Sequence, residues 1–377
     1  MVDGFINFNL NEKTPTIIKV IGVGGGGGNA VEYMYDKGIC DVDFVICNTD
    51  YQALRNSPVP LKIQLGKELT DGHGAGNNPA MGEKSAQESL SDIETLLKRD
   101  TKMVFITAAM GGGTGTGAAP VIAKLAKDMG VLTVGIVSIP ARFEGPKRLD
   151  QARDGLKRLK DNVDCLIVID NEKIKSIYGS QTISQAFAKA NDVLNIAAKG
   201  IAEIITLPGY INVDFADVRT VMTDSGVAIM GAAQASGEDR AIRAITEALE
   251  SPLLNNNDIL GAKDILLNIT SGTDEVTMDE MSQITSHIIR KVGNNAAVIW
   301  GVGTDLNLGD AVSVTIIATG FPAGDIELFG EQSATGDTDQ AVVLKEEDVV
   351  LKPGLTDARV RELETVPAFE RRELKIN

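Results

Sequence analysis

The stretch VIGVGGGGGNAV, residues 20–31, places five consecutive glycines, Gly24–Gly28, directly after an apolar run. Glycine is costly to order and buries almost no surface, so such a run needs a specific reason. The residues TIIKVIGV, 16–23, are rich in β-branched side chains and predict a buried strand, and NAVEYMYDKG, 29–38, predicts a helix. A strand, a glycine turn and a helix N-terminus form a typical phosphate site, because free N–H groups and the helix dipole both favour an anion.

The composition narrows the class of protein. Of the 377 residues, 43% are hydrophobic and 23% are charged, which is typical of a globular protein. The formal net charge of −16 disfavours binding to nucleic acid or to an anionic membrane surface. Residues 1–15 do not resemble a signal peptide and no apolar stretch is long enough to span a membrane, so we expect a cytoplasmic protein. The cysteines Cys40, Cys47 and Cys165 lack metal-ligand spacing, so we expect reduced thiols and no metal site made of these residues.

Apolar strand-like runs alternate with helical segments from Thr16 to Asp170. The predicted strands are TIIKVIGV (16–23), DFVICN (43–48), MVFITAAM (103–110), LTVGIVSIP (132–140) and CLIVID (165–170). Near-continuous apolar strands between helices predict a parallel sheet that is covered on both faces. Ligands of such sheets bind at the carboxyl ends of the strands. Three motifs follow strands at that edge: the glycines 24–28, NTD (48–50) and GGGTGTG (111–117).

The predicted organisation is an α/β protein in six parts. In chain order these are a flexible N-terminus (1–15), a parallel-sheet α/β domain that binds nucleotide (16–181), a long central helix (182–209), a second α/β domain (210–321), a disordered acidic linker (322–358) and a partner-binding peptide (359–377). Apolar residues at spacings of three and four predict the central helix. The linker is predicted because nine Asp and Glu against two Lys occur between Pro322 and Ala358.

Two interpretations of the first glycine run remain open. GVGGGG, 22–27, matches the G-x-G-x-x-G pattern of dinucleotide-binding folds, with Asp50 where a ribose-binding acid would stand, which suggests a nicotinamide-dependent oxidoreductase. A second glycine loop at 111–117 favours a nucleoside triphosphate, since its β- and γ-phosphates need their own donors, and the hydroxyls of Thr114 and Thr116 would add to them. No Walker sequence occurs, so Mg²⁺ would offset the phosphate charge.

Several motifs together resemble one family. They are GVGGGGGNAV (22–31), CNTD (47–50), GAGNNP (74–79), GGGTGTG (111–117), FEGPKR (143–148), ANDVL (190–194) and NVDFADV (212–218). In order and spacing they resemble the FtsZ family of bacterial cell-division GTPases, within the tubulin/FtsZ superfamily, from Ile17 to Phe321. The resemblance implies GTP or GDP with Mg²⁺, a GTPase activated by self-assembly, and a head-to-tail homopolymer that forms the division ring at mid-cell. A non-hydrolysing, structural filament protein that binds GTP is the other interpretation of the same motifs.

The resemblance also implies roles for individual residues. The phosphate-binding residues are Gly25, Gly26, Gly27, Gly28, Asn29, Gly112, Gly113, Thr114 and Gly115. Glu144 and Arg148 reach the ribose, Asp192 recognises guanine with Phe187 and Asn29 nearby, and Ala75 and Asn171 are further contacts. An acidic acceptor suits guanine because its N1–H and N2 amine are both donors. The family pattern is broken twice: Asn77 replaces an alanine, and Asp170 replaces a proline before Asn171.

From the residues alone, plainer interpretations of these side chains stay open. Glu144 and Arg148 are four apart and fit a solvated ion pair on a helix. Asp192 fits an ordinary polar residue on an exposed helix face. Asp214 and Asp217 fit the N-cap of a helix predicted over VRTVMTDSGVAIMG, 218–231.

The loop NVDFAD, 212–217, follows the end of the central helix that is remote from the phosphate loops. At about 1.5 Å per residue, Asp192 to Leu207 alone spans roughly 22 Å. We therefore expect Asp214 and Asp217 to act on the nucleotide of the next molecule in a head-to-tail filament, a heterologous contact that propagates without closing. The resemblance assigns the same catalytic role to this loop, which includes Asn212.

The C-terminal peptide VPAFERREL, 366–374, carries Val366, Pro367 and Phe369 as apolar anchors beside Arg371 and Arg372. It resembles the peptide by which the FtsZ family binds membrane-tethering division proteins such as FtsA. We accordingly expect partner binding through this peptide, with neither nucleic-acid binding nor direct membrane insertion.

Overall fold

The computed structural model describes residues 16–39, 41–98, 100–206, 210–211, 213–250, 259–293 and 296–321. Several predictions lie outside these residues. They concern the N-terminus (1–15), Cys40, the end of the central helix (207–209), Asn212, the acidic linker (322–358) and the C-terminal peptide (359–377).

Ten strands of the described part of the chain form one mixed sheet. They are β1 Ile18–Val23, β2 Val42–Asn48, β3 Leu61–Gln64, β4 Met103–Ala109, β5 Leu132–Ile139, β6 Cys165–Asp170, β7 Gly226–Ala235, β8 Asp264–Ser271, β9 Ala297–Thr304 and β10 Val312–Thr319. Their order across the sheet is β3-β2-β1-β4-β5-β6-β7-β10-β8-β9. All pairs from β3 to β7 are parallel, β10 is antiparallel to β7 and β8, and β8 is parallel to β9. The five predicted strands of the first domain are thus confirmed, and β7 joins that sheet to the second α/β part.

Twelve α-helices accompany the strands in the described residues. They are α1 Gly24–Lys37, α2 Tyr51–Asn56, α3 Lys67–Thr70, α4 Pro79–Glu88, α5 Leu90–Leu97, α6 Thr114–Asp128, α7 Pro146–Lys160, α8 Asn171–Tyr178, α9 Ile183–Thr206, α10 Phe215–Met222, α11 Arg240–Leu249 and α12 Met278–Val292. None of these helices combines the length and the apolar character that a membrane span requires.

The strand residues alternate between two buried layers. Val20 and Ile46 belong to a layer with α1, α9 and α10, whereas Ile21 and Val45 belong to a layer with α5, α6 and α7. This period of two follows from strand geometry, and apolar residues at every position mean that both faces are covered. A third apolar cluster packs α11 and α12 on the second part of the sheet. The strands are therefore fixed, and their carboxyl ends can hold loops in defined positions.

The helix predicted over 218–231 is wrong beyond its first turns. Helix α10 ends at Met222, and residues Gly226–Ala235 form the strand β7. The segment GVAIMGAAQA consists mainly of small apolar residues, which suit a buried strand as well as a helix. Gly226, the first residue of β7, has φ of 74°, a conformation that favours glycine and ends the turn between α10 and β7.

Helix α9 crosses the molecule as one continuous element of 24 residues. Ala190, Leu194 and Ala197 are buried, as the amphipathic pattern predicts. Phe187 belongs to the same sequence pattern, yet 46% of it is exposed. This aromatic side chain is therefore available to a ligand at the start of the helix.

Two of the cysteines lie within the described residues. Cys47 and Cys165 are free and buried. Burial in apolar surroundings raises the pKa of each thiol to about 12, so both are protonated and unreactive at neutral pH.

Candidate functional site

The first glycines are the start of a helix. Helix α1 begins at Gly24, whereas the sequence predicted its start at Asn29. Its N-cap residue, Val23, makes no side-chain hydrogen bond to the first N–H groups of the helix. These donors lie at the carboxyl end of β1, where the helix dipole also favours an anion.

Gly25–Gly28, the last four of the five glycines, fall into two groups. A β-carbon on Gly26 would lie 2.4 Å from Cβ of Ala109, and one on Gly27 would lie 2.3 Å from the carbonyl oxygen of Thr107. A β-carbon on Gly25 or Gly28 would meet nothing within 4 Å. The first group allows α1 to pack on β4, and the second faces open space. That space is a cavity of about 220 Å³, which Asn29 and Asn48 also line.

The second glycine loop lies directly against the first. A β-carbon on Gly24 would lie 2.8 Å from the backbone nitrogen of Gly115, and the hydroxyls of Thr49 and Thr114 are 2.8 Å apart. Gly112 faces open space, and helix α6 begins at Thr114. Two helix N-termini and the loop after β2 therefore meet at one edge of the sheet. This is the convergence that a chain of phosphates requires.

Thr116 is buried, whereas the sequence analysis expected its hydroxyl to be a donor to phosphate. Its hydroxyl accepts a hydrogen bond of 2.8 Å from the N–H of Gly111, and the residue is fully buried. It braces the loop internally, so the hydroxyl available at the surface of the loop is that of Thr114. Gly111 has φ of 99°, a conformation that favours glycine.

The loop GAGNNP closes over the second glycine loop. A β-carbon on Gly113 would lie 2.8 Å from the backbone nitrogen of Asn78 and 3.0 Å from Cβ of Ala75. The side chain of Asn78 caps helix α4 by accepting a hydrogen bond from the N–H of Ala80. Asn77, one of the two departures from the family pattern, has φ of 56°. Asparagine is among the few residues that adopt this left-handed conformation readily, so the replacement of alanine fits the local backbone.

Glu144 and Arg148 form an ion pair with an N–O distance of 2.8 Å. The other carboxylate oxygen of Glu144 accepts the N–H of Ala141 at 3.0 Å, and the Glu144 side chain is 14% exposed. The ion pair suggested by the sequence thus exists, but it is not a solvated pair on one helix, because Glu144 precedes the start of α7 and is largely buried. Because the pair lies beside the second glycine loop, with the Arg148 backbone against Gly111, it does not preclude a ligand contact.

A second cavity, of about 210 Å³, lies between α8, α9 and the residues before α7. Its lining includes Phe143, Glu144, Asn171, Lys175, Tyr178 and Phe187. The amide oxygen Oδ1 of Asn171 is buried and has no hydrogen-bond partner. An unpaired buried acceptor is costly, and one at a cavity wall indicates a ligand donor.

The second departure from the family pattern, Asp170, caps the helix α8. Its carboxylate accepts the N–H of Glu172 at 2.8 Å, which proline could not do. Burial raises the pKa of this carboxyl group above its ordinary value. The N-terminus of α8, and with it Asn171, is held in place by this bond.

Asp192 forms a contact that the sequence reasoning missed. The hydroxyl of Tyr33 on α1 donates a hydrogen bond of 3.1 Å to Oδ1 of Asp192 on α9. Burial, followed by the interaction with Asp192, raises the pKa of Tyr33 above its ordinary value. Tyr33 lies one helical turn after Asn29, and this spacing is the signal that could have placed it at the site.

Asp214 and Asp217 form a reciprocal capping box at the start of α10. Oδ1 of Asp214 accepts the N–H of Asp217 at 2.8 Å, and Oδ2 of Asp217 accepts the N–H of Asp214 at 3.3 Å. The N-cap interpretation from the sequence is therefore correct for Asp214. Both residues are exposed, and one oxygen of each carboxylate takes no part in the cap. At about 1.5 Å per residue, the helix α9 separates Asp192 from Thr206 by roughly 21 Å.

Comparison with known proteins identifies the family. The model described as Tubulin/FtsZ family, GTPase domain, matches residues 17–179, and that described as FtsZ family, C-terminal domain, matches residues 226–322. The cell division protein FtsZ of Porphyromonas gingivalis is 48% identical over 340 residues, which are 89% of this chain and 74% of the relative. This chain belongs to the FtsZ family. It is therefore a GTPase that binds GTP and GDP, and the oxidoreductase and the non-hydrolysing filament protein are excluded.

Further relatives agree with this identification. FtsZ of Buchnera aphidicola is 50% identical over 306 residues, 81% of this chain and 79% of the relative. Among solved structures, an empty FtsZ dimer of M. jannaschii superposes with a TM-score of 0.78 at 42% identity, covering 84% of this chain and 91% of that one. CetZ2 of Haloferax volcanii, a protofilament with bound GTPγS, shares the fold, with a TM-score of 0.68 at 22% identity over 82% of this chain and 94% of that one.

Proposed function

We propose that this FtsZ-family GTPase assembles head to tail and that Asp214 and Asp217 hydrolyse the nucleotide bound to the neighbouring subunit. The observation that carries the proposal is the position of the two carboxylates beyond the far end of α9. The helix separates them from Asp192, while the glycine loops lie at the opposite end, at the carboxyl ends of β1 and β4. In a head-to-tail filament, the end of one subunit that carries the carboxylates meets the nucleotide site of the next subunit.

The nucleotide would lie along the carboxyl edge of the parallel strands. Its phosphates would contact the backbone of Gly25–Asn29 and Gly112–Gly115, where no β-carbon obstructs Gly25, Gly28 or Gly112. Ala75 in the GAGNNP loop would lie beside them. For the nucleoside we propose contacts with Glu144, Arg148, Asn171, Phe187 and Asp192, and the unpaired oxygen of Asn171 fits a donor on the ligand.

The catalytic step needs positioning and charge more than covalent chemistry. Oδ2 of Asp214 and Oδ1 of Asp217 take no part in the capping box, so each carboxylate can accept a hydrogen bond from the attacking water. One of the two would take the proton of the water as its oxygen bonds to the γ-phosphorus and the bond to GDP breaks. Two such acceptors orient the water in line with the γ-phosphate, which is the main contribution a protein makes to phosphoryl transfer. Asn212 belongs to the same proposed loop.

The oxygen atoms at the glycine loops suit Mg²⁺ as a bound ion. Among the described residues, no three His, Cys, Asp or Glu side chains gather into a metal-binding cluster. Neutral oxygens do lie at the site, on Asn48 and Thr114. These suit an ion that keeps water ligands and takes the rest from phosphate, as Mg²⁺ usually does. Bound there, Mg²⁺ would neutralise phosphate charge.

The cellular role follows from the family. Its named relatives are cell division proteins, and one solved relative is a dimer. We propose that filaments of this chain form the division ring in the cytoplasm at mid-cell. The C-terminal peptide Val366–Leu374 would link them to membrane-tethering proteins such as FtsA.

Conservative variants of the two carboxylates test the proposal. Asparagine is as good an N-cap as aspartate at position 214, and at position 217 its amide oxygen can still accept the N–H of Asp214. Asp214→Asn and Asp217→Asn therefore keep the helix cap and remove the charge. We expect both variants to bind GTP and to sediment as filaments, with phosphate release at least a hundredfold slower. Asp161→Asn, at an exposed acid at the end of α7, is the matched control and should behave as the wild type.

The dependence on concentration separates assembly from catalysis. Phosphate release per molecule by the wild type should rise steeply above a critical protein concentration, since the site is complete only between subunits. A rate per molecule that stays constant down to concentrations without filaments would contradict the proposal. So would full activity of both carboxamide variants.

A further inference from the structure

We propose that Tyr33 is a specificity-determining residue of the nucleotide site, because it positions the Asp192 carboxylate for guanine. The inference rests on the base-binding role proposed for Asp192. Tyr33 itself is a positioning residue, since it acts on the base through Asp192.

The contact joins the two helices that border the nucleotide. The Tyr33 hydroxyl donates to Oδ1 of Asp192 across 3.1 Å, and both residues are partly buried. Tyr33 and Asn29 are four residues apart on α1 and therefore lie on the same side of the helix. The helix thus carries a row at spacings of four, Gly25, Asn29 and Tyr33, which runs for about 12 Å from the phosphate loop to Asp192.

The position of the Tyr33 ring is also fixed. The ammonium of Lys37 lies 5.3 Å from the ring centroid, within the range of a cation–π contact. Helices α1 and α9 both pack into the same buried layer, so neither end of the hydrogen bond is on a loop. A carboxylate held in this way loses less freedom when the base binds.

The chemistry of the bond favours guanine. A carboxylate has about four acceptor positions, of which Tyr33 occupies one on Oδ1. Oδ2 and the remaining position on Oδ1 can accept the N1–H and the N2 amine of guanine together. Adenine presents an acceptor at N1 in place of a donor, so it gains nothing from the position in which Tyr33 holds the carboxylate.

Nucleotide affinities of matched variants test the inference. Equilibrium dissociation constants for GDP, IDP and ADP are measured for the wild type, Tyr33→Phe and Tyr35→Phe. Tyr35→Phe is the control, because Tyr35 lies on the same helix and its ring contacts Phe44. We expect Tyr33→Phe to weaken GDP binding by threefold to tenfold, to weaken IDP less because it lacks the N2 amine, and to leave ADP unchanged. Tyr35→Phe should change none of the three.

Two outcomes would overturn the role of Tyr33. An equal loss for all three nucleotides would show that Tyr33 only supports the packing of α1, and unchanged affinities would show that the bond does not act on the base. Thermal unfolding without nucleotide confirms that the variant is folded.

Asp192→Asn separates this inference from the proposed function. If Asp192→Asn keeps the preference for GDP over ADP, the base contact itself is wrong. If Asp192→Asn abolishes that preference while Tyr33→Phe retains it, Asp192 recognises guanine without help from Tyr33.

Discussion

Alanine at Gly27 and at Gly28 should have opposite effects on the protein. A β-carbon at Gly27 would lie 2.3 Å from the carbonyl oxygen of Thr107, and one at Gly28 would meet nothing within 4 Å. Overpacking of this kind costs about 1–3 kcal/mol, whereas alanine in a helix gains about 0.5–1 kcal/mol over glycine. Because the obstacle at Gly27 is backbone, we take the upper cost of about 3 kcal/mol and subtract the helical gain of about 1 kcal/mol. Gly27→Ala should lose about 2 kcal/mol of unfolding free energy, and Gly28→Ala should gain up to about 1 kcal/mol.

Gly28→Ala should weaken nucleotide binding although it stabilises the fold. Gly28 lines the cavity beside α1, so its new methyl group would occupy space proposed for phosphate. We expect Gly28→Ala to bind GDP at least tenfold more weakly, about 1.4 kcal/mol, in a calorimetric titration. Urea unfolding of the nucleotide-free protein, followed by circular dichroism, gives the stabilities. Equal stability of the two variants, or wild-type affinity in Gly28→Ala, would refute the assignment of the glycines.

Two further predictions concern Asn171 and Glu280. Because Oδ1 of Asn171 is buried without a partner, Asn171→Ala should leave the nucleotide-free protein as stable as the wild type, or more so, and weaken GDP binding about threefold to tenfold in the same titration. Arg240, which is 5% exposed, bonds to Glu280 at 2.7 Å and lowers the pKa of that carboxyl group. The pair therefore stabilises the fold above about pH 4.3 and loses this effect as the pH falls further. Glu280→Gln should lower the free energy of unfolding by about 2 kcal/mol at pH 7. In urea unfolding, the difference in this free energy between variant and wild type should shrink as the pH falls from 5 to 3. A difference that stays constant over this range would contradict the pairing.

The first part of the sheet could be predicted because its strands are buried on both faces. Runs such as CLIVID and MVFITAAM leave no polar face, and only a covered parallel strand explains them. The strand β3 was missed because Leu61–Gln64 is short, lies at the sheet edge and is half exposed, so it lacks that signature. The strand β7 was taken for a helix because alanine and glycine carry little information on period.

The context of the glycine loops predicts a phosphate site, but it does not predict which glycines pack and which face open space. Sequence cannot distinguish Gly27, which needs space for Thr107, from Gly28, which faces a cavity, because the difference lies in the approach of β4. The contact of Tyr33 could not be predicted from the sequence either. Its partner Asp192 is 159 residues away, and only the packing of α1 on α9 brings the two together.

Recovery of GTPase activity in a mixture of two inactive variants tests the shared site most directly. Asp217→Asn keeps an intact nucleotide pocket. Gly28→Ala keeps an intact carboxylate pair and is assayed at a GTP concentration that fills the Asp217→Asn pocket but leaves its own pocket largely empty. In an equal mixture that co-assembles at random, one interface in four joins the intact pocket to the intact pair, so phosphate release should return to about a quarter of the wild-type rate. A mixture that sediments as mixed filaments and yet stays as inactive as its components would show that each chain hydrolyses GTP alone.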